Sequence, residues 1–147
     1  MIRRSPLKRQ TIDPRFVFDR SRYPVEYLDR EWSEAIVQKD ILRELHRVGI
    51  AAFAFDSGGK AMRARAGAGG AAVGAAGLPD VIGWLPGGKG LFIEVKRPAL
   101  IIDGRIIKRA GMVSDEQAAF LTRAHAAGCA AGVAWSAWDA LLIAGVE

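Results

Sequence analysis

Gly77-Leu78-Pro79-Asp80-Val81-Ile82-Gly83-Trp84-Leu85-Pro86-Gly87-Gly88-Lys89-Gly90-Leu91-Phe92-Ile93-Glu94-Val95-Lys96-Arg97-Pro98 is the stretch that decides how this chain is read. Two largely apolar runs, Asp80–Leu85 and Leu91–Arg97, flank a Pro/Gly-rich turn, the pattern of a β-hairpin. Side chains alternate along a strand, so Glu94 and Lys96 share one face while Leu91, Ile93 and Val95 take the other, toward the core. The turn decides whether Asp80 joins them. A two-residue turn at Gly87-Gly88 sets Asp80 opposite Val95 and points its carboxylate away. An odd loop, Gly87–Lys89 or Pro86–Gly90, or an equivalent β-bulge, pairs Asp80 with Lys96 and Ile82 with Glu94. All three polar groups then share a face, and the odd loop is the expectation.

That face carries a definite chemistry. Two acids on rigid neighbouring strands offer the oxygen ligands a hard divalent cation needs, and the Val95 carbonyl is a further donor. Mg²⁺, or Mn²⁺ in its place, suits so small a set because Mg²⁺ keeps several of its waters. The apolar flanks imply acids held on a buried hairpin, where a carboxylate requires a partner or a metal. Lys96 falls where it would orient an attacking water, or favour its deprotonation, and offset charge in a phosphoryl transition state. The trio Asp80, Glu94 and Lys96 thus points to phosphodiester hydrolysis.

Around the hairpin the chain reads as helix, three strands, helix, strand, helix: an α/β fold with a small mixed sheet flanked by helices. Ser33 caps a helix from Glu34 to about Val48, with Ile36, Val37, Ile41, Leu45 and Val48 as its apolar stripe and Gly49 as its stop. Ile50–Phe55 is a short strand. Ile101–Ile107 is a small hairpin about Asp103-Gly104. Ser114 and Gln117 form a capping box for a helix reaching Ala127. Cys129–Trp135 is a central strand, and Ser136 caps a last helix, Ala137–Ile143. Residues 1–30, with Pro6, Pro14 and Pro24, read as an extended, partly ordered basic arm ahead of a domain spanning 31–147. The tryptophans read as core or partner-surface residues rather than base-stacking platforms, with Trp32 and Trp138 the better placed for a partner.

Composition narrows the classes. The 147 residues carry a net charge of +5, which favours a polyanionic partner. Arg3, Arg4, Lys8, Arg9, Arg15, Arg20 and Arg22 crowd the first part of the chain, as a solvated tail or as an arm that tracks phosphates. Arg63 and Arg65 lie in the glycine-rich stretch 57–77, and Arg97, Lys108 and Arg109 follow the acids; these five are the candidate DNA contacts. No apolar run is long enough to span a membrane, and the first residues do not form a secretory signal. The single Cys129 excludes an intrachain disulfide and fits a reducing cytoplasm. Two histidines and one cysteine do not make a zinc site.

The pattern as a whole resembles the virus-type replication-repair nuclease family, VRR-NUC, of the PD-(D/E)XK superfamily. The residues that carry the resemblance are Ser33-Glu34 with Gln38, Gly77 to Gly83, Ile93 to Pro98, Ser114 to Gln117 with Phe120-Leu121, and Gly132-Val133-Ala134 running into Ser136 and Asp139 to Leu141. The resemblance implies Mg²⁺- or Mn²⁺-dependent DNA cleavage with Asp80 and Glu94 as ligands and Lys96 catalytic. It also implies Glu34 as an additional acid and Gln117 as a site-lining residue, although a helix dipole accounts for the first and a capping box for the second. Members that stand alone, mostly from phages and bacteria, are similar to Holliday-junction resolvases and act as homodimers, so the implied activity is structure-selective cleavage of branched DNA. The alternatives are an inactive nuclease-fold module that only binds nucleic acid, and a sequence-specific restriction-type endonuclease.

Overall fold

The computed structural model describes residues 13–55 and 77–146. Two 3₁₀ turns, Pro14–Phe16 and Arg20–Arg22, lead into α1 (Val25–Leu28) and α2 (Glu34–Arg47), followed by β1 (Ala51–Ala54). Then come β2 (Val81–Trp84), β3 (Gly90–Val95), β4 (Leu100–Ile102), β5 (Arg105–Lys108), α3 (Asp115–Ala126), β6 (Ala130–Ala134) and α4 (Ala137–Ile143). Among the described residues, four strands form one sheet in the order β1-β2-β3-β6, and β4 and β5 make a separate two-stranded hairpin. The first three strands are antiparallel, while β3 and β6 are parallel, so the sheet is mixed. No described helix is long and apolar enough to cross a membrane.

One face of the sheet is packed along its strands and the other over its β3–β6 half, because these strands alternate two apolar sets. Val81, Leu91, Ile93, Val95 and Ala134 face α2 and α4, where they meet Val37, Ile41, Leu45, Ala137 and Ala140. Ile41, Leu45, Leu91 and Ile93 are fully buried, and each such side chain contributes roughly 1.5–3 kcal/mol. Val133 and the partly buried Phe92 take the opposite face with Leu121 and Phe120 of α3, and the rings of Phe92 and Phe120 meet edge to face at 5.4 Å. The expected capping box at Ser114 is present in both directions, and the Asp103-Gly104 turn has positive φ at both residues (50° and 74°).

The register of the central hairpin agrees with the expectation in parity and departs from it in detail. Val81 pairs with Ile93, Ile82 with Phe92 and Trp84 with Gly90. The Leu85 N–H donates to the Lys89 carbonyl (2.7 Å), leaving Pro86-Gly87-Gly88 as a three-residue loop. The loop is odd, so Asp80, Glu94 and Lys96 fall on one face. Ile82, however, lies opposite Phe92 rather than Glu94, and continuing the ladder puts Asp80 opposite Glu94 rather than Lys96. The loop is centred on Gly87 rather than Gly88, and both glycines adopt positive φ (91° and 92°) to close it.

Residues 13–30 also differ from the extended expectation. Pro14 and Pro24 start helical turns, a position where a missing N–H costs nothing, and Asp13 and Asp19 cap the two 3₁₀ turns. Phe16, Tyr23 and Leu28 are buried against Trp135 and Val133. The Tyr23 hydroxyl donates to Asp139 Oδ2, which also accepts from the Trp135 N–H at 2.9 Å. The Tyr27 hydroxyl donates to the Trp135 carbonyl at 2.9 Å. This segment therefore clasps the junction between β6 and α4. The remaining basic residues of the expected arm, Arg3, Arg4, Lys8 and Arg9, lie outside the described residues.

Tyr23→Phe leaves the buried Asp139 carboxylate short of a donor, which costs about 1.5–3 kcal/mol and lowers the melting temperature by at least about 3 °C. Thermal unfolding followed by circular dichroism measures this; an unchanged melting temperature means that the clasp adds nothing to the fold.

Candidate active site

The end of the hairpin away from its turn gathers four polar side chains, each placed by its own backbone setting. Glu94 projects from β3, between two strands, and is only 2 % exposed. Its Oε1 accepts from Gln117 Nε2 at 2.6 Å and lies 3.4 Å from Lys96 Nζ. Its Oε2 is buried and has no hydrogen-bond partner among the described residues. Asp80 sits just before β2, where Phe55 N–H (2.7 Å) and Gln38 Nε2 (3.0 Å) both donate to its backbone carbonyl. Its Oδ2 accepts from the Val95 N–H at 2.8 Å, which aims the carboxylate across the gap at the end of the β2–β3 ladder. Lys96 is largely covered, and its N–H continues the ladder to the Ala134 carbonyl (3.0 Å).

Gln117 serves both readings at once. Its amide oxygen accepts from the Ser114 N–H (2.8 Å) and its backbone N–H donates to Ser114 Oγ (3.2 Å), completing the capping box. Its amide nitrogen then holds Glu94. The start of α3 is thereby tied to β3, and the Glu94 rotamer is set by the helix cap. Gly77 makes the close approach possible: a Cβ there would lie 2.5 Å from the Glu116 carbonyl, and its φ is +81°.

The electrostatics are unbalanced. Burial removes water from the Glu94 carboxylate, and the nearby Asp80 charge repels it, so its pKa is pushed up to about 8 against the pull of Lys96. A buried carboxyl with one oxygen held by two donors and the other without a hydrogen-bond partner among the described residues, next to a second carboxylate, is what a divalent cation would relieve. The donors are all hard oxygens, so the residues fit such an ion.

The other expected site residues separate into groups. Glu34 is exposed in the first turn of α2, and no third Asp, Glu, His or Cys joins a ligand cluster among the described residues. What the structure records for Val95 is its N–H bond to Asp80. Arg97 Nη1 donates to the Arg109 carbonyl (2.5 Å), which pins the strand carrying Lys96 to the returning 109–111 segment. Lys108 pairs with Glu31 (2.6 Å) on the surface. Arg63 and Arg65 lie outside the described residues. Sequence reasoning assigned no role to Gln38 or Gly111. A Cβ at Gly111 would come 3.3 Å from Lys96 Cβ, and the Gly111 carbonyl accepts from Trp135 Nε1 at 2.8 Å. Gly111 thus lies against the lysine stem. The only advance signal was the glycine itself.

A model of the VRR-NUC domain matches residues 61–138, more than half of the chain. The chain belongs to the VRR-NUC family. No curated protein and no solved structure matches it significantly. Membership implies a nuclease of the PD-(D/E)XK type acting on nucleic acid.

The raised Glu94 pKa sets a pH dependence. In chelator the unfolded chain loses this proton near 4.5 while the folded protein keeps it until about 8, so stability falls as pH rises between those values. Melting curves from pH 5 to 8.5 should show this fall in the wild type and less of it in Glu94→Gln. Mn²⁺ or Mg²⁺ should raise the wild-type melting temperature at pH 8 and leave Glu94→Gln unmoved. Parallel pH profiles for the two proteins would remove the strain assigned to Glu94.

Proposed function

We propose that this VRR-NUC protein is a metal-dependent DNA endonuclease that hydrolyses phosphodiester bonds in branched DNA. The observation that carries the chemistry is the buried Glu94 carboxyl beside Asp80, with Oε1 3.4 Å from Lys96 Nζ and Oε2 without a hydrogen-bond partner among the described residues. Asp80, Glu94 and the Val95 carbonyl would hold Mg²⁺ or Mn²⁺, which when bound polarises the scissile phosphate and lowers the pKa of water. Two carboxylates are few, which suits an ion that keeps waters and takes substrate oxygens.

The protein residues supply the rest. The Val95 N–H and the two donors on the Asp80 carbonyl fix the Asp80 carboxylate before substrate arrives. Gln117 holds Glu94 through Oε1, so Oε2 is not taken up by that bond. Lys96, anchored by strand pairing and covered by Gly111, positions its ammonium to orient water and to oppose charge developing on the phosphate oxygens. Glu34, one turn ahead of Gln38, serves the α2 dipole in this reading. Arg97, Arg109, Lys108, Arg63 and Arg65, together with the +5 net charge, supply phosphate contacts. A homodimer would set two such sites across a branch and permit paired nicks.

Incubation with a labelled four-way junction in Mg²⁺ or Mn²⁺ tests this reading. The wild type should cleave the junction. Asp80→Ala and Lys96→Ala should each lower the rate by at least about 100-fold while retaining junction binding and the wild-type circular dichroism spectrum. Binding with no cleavage in either metal would instead favour an inactive nucleic-acid-binding module, and cutting at fixed positions in linear duplex a restriction-type enzyme.

Removing residues 1–12 deletes Arg3, Arg4, Lys8 and Arg9 without touching the Phe16 and Tyr23 anchors. If they bind phosphates, the slope of log affinity against log salt on duplex DNA falls by about 0.9 for each phosphate that is no longer neutralised. An unchanged slope by fluorescence anisotropy would take these residues out of the interface.

A further inference from the structure

Helix α3 covers only part of the sheet face that carries the acids. It packs on Phe92 and Val133, from β3 and β6. The β1–β2 half of the same face retains two large exposed aromatic rings, Phe53 (53 % exposed) and Trp84 (55 %), with centroids 5.6 Å apart. Strand pairing places them there: Phe53 lies opposite Ile82, and Ile82 lies opposite Phe92, whose ring touches α3. Trp84 and Asp80 stand on that face too, by alternation along β2. Trp84 is about 13 Å along the strand from Asp80, and the row holding Phe53 comes between them.

An aromatic pair this exposed has a cost in water unless something covers it. The occupant follows from continuity with the acid pair. A nucleic-acid strand that places a phosphate at Asp80 and Glu94 must lie on this face, and the next side chains it meets along β2 and β1 are Ile82, Phe53 and Trp84. Exposed rings bind nucleic acid by stacking on bases, independently of sequence. Inside a continuous duplex the base faces are already stacked on their neighbours, and only an unpaired nucleotide or a broken stack presents one. Lys89, exposed in the adjoining turn, adds a cation for the backbone.

We propose that Phe53 and Trp84 form a stacking platform for an unpaired DNA base flanking the scissile phosphate, and so select DNA whose base stacking is interrupted. The proposal rests on the nuclease reading and specifies its substrate class.

The test is binding in chelator, so that it does not depend on cleavage. The probes are an oligonucleotide duplex with an unpaired 2-aminopurine and a continuous duplex with the same base paired. Wild-type protein should quench the unpaired 2-aminopurine and bind that DNA more tightly than the continuous duplex. Trp84→Ala should lose most of the quench and weaken binding of the unpaired probe by about tenfold. Trp84→Tyr should retain both, and Trp84→Leu should behave as Trp84→Ala, since leucine is apolar but offers no ring. Wild-type binding by Trp84→Leu, or equal losses on both probes, would overturn the proposal. So would a fall in sedimentation mass for Trp84→Ala with oligonucleotide binding intact, which would assign the rings to a second copy of the chain. Failure of the wild type to cleave any DNA with Mg²⁺ or Mn²⁺ would count against the nuclease reading instead, and leaves the platform to be judged by its binding data.

Discussion

A carboxylate buried on the central strand and satisfied on one side only is the constraint around which this molecule is organised. Glu94 lies where an apolar residue would be easiest to place, between β2 and β6 and beneath α3. Charging it there is costly, and its elevated pKa expresses that cost. The surrounding structure compensates one oxygen with Gln117 and Lys96, and the other has no hydrogen-bond partner among the described residues. A purely structural carboxylate gains nothing from such an arrangement. Under the proposed function Glu94 does gain, because the favourable contact with a cation and a phosphate is then reserved for the bound state.

The supports of this group connect distant parts of the chain. Gln117 transmits the α3 cap to β3, Gln38 transmits α2 to the backbone of Asp80, and Gly111 closes over Lys96. The 109–111 segment is held by Trp135, and Trp135 is in turn held by the N-terminal clasp through Tyr27 and Asp139. The site is therefore rigid through contacts made by residues that carry no chemistry of their own. Only the β1–β2 half of its face lacks a described helix above it, and that is the half with exposed rings.

Local pattern made much of this legible. Apolar alternation, the Ser33 and Ser136 caps, the Ser114–Gln117 box and the Asp103-Gly104 turn identified the elements, because each depends on neighbours within a few residues. Parity along β3 placed Glu94 and Lys96 together for the same reason. The exact register did not follow, since loops of equal parity differ by two positions and turn closure decides among them. Residues 13–30 misled because a proline marks both an extended segment and the first turn of a helix, and only burial of Phe16, Tyr23 and Leu28 selects the second.

What the sequence by itself determined is the inventory: an acid on each of two adjacent strands, a lysine in phase with the second, and the helices and turns that frame them. The tertiary structure alone decided which oxygen of Glu94 is left without a donor, that one glutamine both caps a helix and holds an acid, and that two rings far apart in the chain lie side by side in the open. The reason is physical. Propensity and alternation act over a few residues and survive in one dimension, whereas desolvation, donor geometry and ring exposure depend on which segments pack over a group and which do not.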